Sequence, residues 1–77
     1  MNKARRISLQ QAIESLQSIR SDIEEIQEQE QESYDNLPES LQNGDKGQAM
    51  SEAIDNMEQA MSSIDDVVSA LENSKGE

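Results

Sequence analysis

The stretch MSEAIDNMEQAMSSIDDVVSALEN, residues 50–73, limits what this chain can become more than any other. Cut every seven residues, it places Met50, Met57, Ile64 and Leu71 at one position, a, and Ala53, Ala60 and Val67 three places on, at d. Apolar steps that alternate three and four describe one stripe of an α-helix lying on another helix. Position e is apolar as well, at Ile54, Met61 and Val68, so the stripe is wider than a two-position seam. Apart from Ala49 and Ala70, the remaining positions are Ser, Asn, Gln, Asp or Glu. The spacing predicts a helix over about 46–73, with a frayed end beyond it.

The first half follows the same rule less strictly. Leu9, Ala12, Leu16, Ile19, Ile23 and Ile26 alternate three and four, with Ile13 on the flank. The register then fades into EEIQEQEQESY, where Glu and Gln still favour helix through their intrinsic propensity. A helix over about 3–34 is expected. Between the two lies YDNLPESLQNGDKG, a turn over about 35–45. Pro38 cannot donate a helical hydrogen bond and drives Leu37 out of the α region, and Asn43-Gly44 and Gly47 read as turn formers. Residues 38–41 suit a single helical turn, and Asp45 is the expected N-cap of the second helix.

A connection of this length folds two long helices back antiparallel, so the expected fold is all-α, a coiled-coil-like two-helix hairpin in one domain, residues 1–77. Centring the turn near residue 40, and allowing a few residues of slippage, faces Ile26 with Ile54, Ile23 with Met57, Ile19 with Met61, Leu16 with Ile64 and Leu9 with Leu71. Seventy-seven residues at 32% apolar content, with Tyr34 the only aromatic, are near the size where one core barely suffices. A fully buried Leu or Ile contributes about 1.5–3 kcal/mol, and two helices leave each apolar face partly wet. Ile13, Ile54, Met61 and Val68 are therefore expected to find cover on a second copy, giving a homodimeric four-helix bundle.

Chemistry is scarce. There is no His and no Cys, which removes the commonest general base, thiolate nucleophiles and disulfides. Glu24, Glu28 and Glu32 share a helical face, but without His they do not form the Glu-x-x-His pairs of a dimetal bundle site. NGDKG lacks the spacing of a phosphate cradle. No catalytic residue, cofactor or metal is expected, so the chain reads as non-enzymatic. No apolar run reaches the ~20 residues of a membrane span, and no apolar segment follows the basic start, so residence in the cytoplasm is the expectation.

Charge is uneven. The net charge is −11, and residues 21–42 hold eight acids and no base. Such a field opposes binding to a phosphate backbone and favours a basic protein partner. The expected docking edge is Asp22, Glu24, Glu25, Glu28, Glu32 and Asp35, with Tyr34 as an aromatic anchor of the kind enriched at binding hot spots. The basic cluster of Lys3, Arg5 and Arg6 suits the acidic helix of a neighbour better than nucleic acid.

The segment SYDNLPESLQNGDKGQAMSEAIDNMEQA, through Tyr34 to Gln42, Gly47, Met50 and Glu52 to Ala60, resembles a family of small acidic helical proteins encoded by phages, prophages and mobile elements of Gram-positive bacteria. The resemblance implies a bacterial host cell and an accessory role, and it carries over no functional residues. In that setting the expected function is docking to a host nucleic-acid-binding or defence protein, inhibiting it as a DNA mimic. The alternative is a self-assembling scaffold whose partner is itself.

Overall fold

The computed structural model describes residues 1–76. These residues are all-α: α1 (Lys3–Asp35), the single turn α2 (Glu39–Gln42) and α3 (Asp45–Lys75), arranged as an extended body of 58 × 15 × 11 Å. No strand occurs among the described residues.

Asn2 starts α1 as its N-cap, its side-chain oxygen accepting from the Arg5 amide at 2.9 Å. The Glu- and Gln-rich end stays helical through Asp35, helped by the Gln31 amide donating to Asp35 at 3.0 Å. Pro38 caps α2 from outside, its carbonyl accepting from Leu41 and Gln42 at 2.8 and 3.0 Å. The N-cap of α3 is Gly44, not Asp45; Gly44 is extended (φ −96°, ψ −171°) and its carbonyl accepts from Gln48, which moves Asp45 into the first turn. There a carboxylate complements the helix macrodipole without capping it. Lys75 contacts the Gln10 side chain and pairs with Glu72 at 3.1 Å, which holds α3 helical two residues past the expected end.

Gly47 is the third residue of α3 rather than part of a turn, and it is buried. A Cβ built on it would fall 2.1 Å from the Gln42 carbonyl oxygen and 2.6 Å from the Gln42 Cα. The end of α2 therefore seats directly on the backbone of α3. The Gln42 side-chain amide also reaches back to the Tyr34 carbonyl at 3.0 Å, so α2 clamps the end of α1 to the start of α3.

The two long helices meet along their length with rising numbers on one against falling numbers on the other: Gln10 to Lys75, Arg20 to Asp65, and Gln27 to both Ile54 and Glu58. The paired numbers sum to between 81 and 85, within a few residues of the 80 expected from a turn near residue 40.

The interior stripe is a and e, not a and d. On α1 it comprises Leu9, Ile13, Leu16, Arg20, Ile23, Gln27, Glu30 and Tyr34, all buried or half-buried. On α3 it is Gly47, Met50, Ile54, Met57, Met61, Ile64, Val68 and Leu71, likewise. Ile13 and Met61 are the centre, at 1% and 3% exposure. This corrects two expectations. Ile13 and Met61 were expected to be covered by a second copy, with Ile54 and Val68; the chain covers the first two itself and half-covers the others. Ile19 and Ile26, expected in the seam, are 49% and 53% exposed. Position e wins because it offers α3 Ile, Met and Val where d offers Ala, Ala and Val, and each extra buried CH2 contributes about 0.8 kcal/mol.

Candidate functional surface

Because a and e face inward, the positions beside them fall on two opposite flanks. The polar flank is position b, which follows each a residue: Gln10 and Glu24 on α1, Glu58, Asp65 and Glu72 on α3. The side-chain bonds that join Gln10 to Lys75, Arg20 to Asp65, and Gln27 to Ile54 and Glu58 lie here or reach into it. The Arg20 guanidinium grips the Asp65 carboxylate through two bonds, 2.7 and 3.1 Å, and lies 3.5 Å from Glu24. Its hydrogen bond to Asp65 and the charge of that carboxylate raise the Arg20 pKa above its ordinary value. The Gln27 amide donates to the Ile54 carbonyl at 3.1 Å and to Glu58 at 3.0 Å. Next to it an open groove is walled by Glu28, Gln31, Asp55 and Glu58, with Ile54 at its base.

The opposite flank is position d, which precedes each e residue: Ala12, Ile19, Ile26 and Ser33 on α1, and Ala53, Ala60 and Val67 on α3. On this flank Val67 is 45% exposed, Ile19 49% and Ile26 53%. In helices that run in opposite directions, like flanks meet, so Ala12, Ile19, Ile26, Ala53, Ala60 and Val67 form an apolar strip along the middle of this flank, with Arg5, Ser33 and Lys46 toward its ends. The bordering g positions are Ser8, Ser15, Asp22 and Gln29 on α1 and Ala49, Asn56, Ser63 and Ala70 on α3. Among all acidic residues of α1 and α3, Asp22 alone stands on d or g.

The expected docking residues divide accordingly. Glu25, Glu32 and Asp35 share the exposed back of α1, and Glu28 stands at its edge, where it walls the groove beside Gln27 and Ile54. Glu24 stands on the polar flank beside Arg20, and Asp22 lies on the far side, at the border of the apolar strip. Tyr34 is half-buried in the interior stripe and does not join the acidic back. Sequence reasoning missed Asp55 and Glu58, which the observed register brings beside Glu28. The signal for them is the antiparallel pairing itself, since a turn near residue 40 with a few residues of slippage brings Asp55 opposite Glu28.

Charge is also polarised along the rod. Residues 21–63, the half nearest the turn, hold twelve acids against Lys46, for −11. Residues 1–20 and 64–76 hold five bases against four acids, for +1, with Glu77 outside the described residues supplying the last −1. Among the described residues no helix is long and apolar enough to cross a membrane, and no group of His, Cys, Asp and Glu is placed to hold a metal ion. No family model, no curated protein and no solved structure matches this chain.

Proposed function

We propose that this chain is a non-enzymatic binding module, an antiparallel helical hairpin that presents carboxylates to a basic protein and works as a homodimeric four-helix bundle. The observation that carries the reading is the sorting of charge. The turn half of a 58 Å rod carries −11, about one charge per 2.6 Å over 29 Å. Duplex DNA carries roughly one per 1.7 Å of axis, so this half approaches the charge density of nucleic acid, with every acidic residue but the half-buried Glu30 exposed. A host protein with a basic nucleic-acid-binding surface is the partner this field would select. Inhibition follows from occupancy of that surface. The resemblance to mobile-element proteins agrees with such a role and with a bacterial cytoplasm as its place of action.

Glu25, Glu28, Glu32 and Asp35 supply the exposed strip, and Asp55 and Glu58 continue it across the groove. The test is recovery of a basic protein on the immobilised chain at low salt, its release at high salt, and its displacement by added duplex DNA. Reversing Glu25 and Glu28 to Lys should abolish recovery. Unchanged recovery in that double variant, or no displacement by DNA, refutes the mimic reading. The exposed Ile19, Ile26 and Val67 favour a second reading, a scaffold that assembles with itself and uses its acids for solubility alone. That reading predicts a stable oligomer and no salt-released partner.

A further inference from the structure

We infer that the apolar d flank is the interface with a second copy of this chain, and that the two copies pack with their turns at opposite ends. The inference rests on the homodimer reading above and specifies its face and its orientation.

The occupant follows from three observations. First, the flank is free of acids except Asp22 at its border, in a chain with 17 acids among 77 residues. Two copies, each at −11, repel over most of their surfaces, and this flank is where they can approach without apposing carboxylates. Second, the face is the right size. The whole side of a 58 × 15 Å rod projects roughly 870 Å², against the ~800 Å² per partner of a standard interface, and the apolar strip from Ala12 to Ile26 forms its central ~21 Å. Third, the flank brings Ile19, Ile26 and Val67 together with Ala12, Ala53 and Ala60, so large side chains have small ones to pack over.

Orientation follows from the polarised charge. Placing both turns at one end sets a −11 half beside another −11 half. Reversing one copy sets each −11 half beside a half at +1. The midpoint of α1 (Lys3–Asp35) is Ile19, so full overlap of reversed α1 helices puts the two-fold axis at Ile19. Arg5, the base at the first d position of α1, then lies near Ser33 of the other copy, within its acidic half.

The chain has no cysteine, so single-cysteine variants report the geometry without interference. Ile19→Cys and Ser33→Cys would each be treated with a short bis-maleimide after light scattering has established their mass. The expected result is covalent dimer for Ile19→Cys and none for Ser33→Cys, whose two copies stand about 42 Å apart at 1.5 Å per residue over 28 residues. Ile19→Glu with Ile26→Glu should weaken the dimer by about 100-fold or more while leaving the helix content of the monomer unchanged. A wild-type monomer overturns the homodimer reading itself. A wild-type dimer that survives Ile19→Glu with Ile26→Glu overturns the face. A dimer in which Ser33→Cys cross-links overturns the orientation alone.

Discussion

Replacing Gly47 by Ala should destabilise the protein, although the same change in an ordinary helix interior stabilises by about 1 kcal/mol. Gly47 has helical geometry, so propensity alone favours Ala. The added methyl carbon, however, would sit 2.1, 2.5 and 2.6 Å from the oxygen, carbon and Cα of Gln42. All three are backbone atoms, so no rotamer change relieves the contact. Restoring an ordinary separation needs a shift of α2 by more than an ångström, which strains the bond from Gln42 to the Tyr34 carbonyl. Overpacking costs about 1–3 kcal/mol, and a backbone contact this short belongs to the upper part of that range, so after the propensity gain of about 1 kcal/mol the net loss is on the order of 1–2 kcal/mol. In a domain of this size that lowers Tm by roughly 4–8 °C per kcal/mol. The assay is urea unfolding followed by helical circular dichroism at one fixed protein concentration. Ser51→Ala, on the exposed side of the same helix, serves as the control and should be neutral or slightly stabilising. A Gly47→Ala protein as stable as the Ser51→Ala control would refute the seating of α2 on α3.

Other outcomes are expected from the same geometry. Ile13→Ala should cost about 2–5 kcal/mol at every protein concentration, because Ile13 is 1% exposed, whereas Ile26→Ala should act through a concentration-dependent transition; equal and concentration-independent losses would refute the observed stripe. Asn2→Ala should cost about 1 kcal/mol and fray the start of α1, measured as faster amide exchange over the first turn; unchanged exchange there would refute the cap. A double-mutant cycle on Arg20 and Asp65 should give a favourable coupling that shrinks at high salt, since the pair lies on the surface; a coupling that salt leaves unchanged would contradict that placement.

The all-α class was legible because two separate heptad patterns survive in a chain of low apolar content. The interior side of those patterns was not. On α1, position d holds Ala12, Ile19 and Ile26, while e holds Ile13, Arg20 and Gln27. Read alone, α1 buries d. On α3 both positions are apolar, and the bulk at Ile54, Met61 and Val68 draws e inward. Arg20 and Gln27 tolerate the shared stripe because each finds a partner across the seam, at Asp65 and at Glu58 with the Ile54 carbonyl. A choice made jointly by two helices is invisible in the periodicity of either. Gly47 is a similar case: its composition signals a turn, and only the seat of Gln42 shows why a helical position needs to lack a side chain. For the candidate surface, the acidic back of α1 could be read from spacing alone. Its extension to Asp55 and Glu58 depends on how the two helices meet across the groove, and the exclusion of Tyr34 on position e facing inward.

The claim at the centre of this account is that sorting acids to one side leaves the other side for a second copy. Light scattering on the intact chain, run across a hundredfold range of concentration, tests it most directly. A chain of 8.6 kDa that scatters as 17.2 kDa, twice that value, and falls to the single mass only on dilution or with Ile19→Glu and Ile26→Glu, is the predicted result. A mass of 8.6 kDa throughout that range would contradict it.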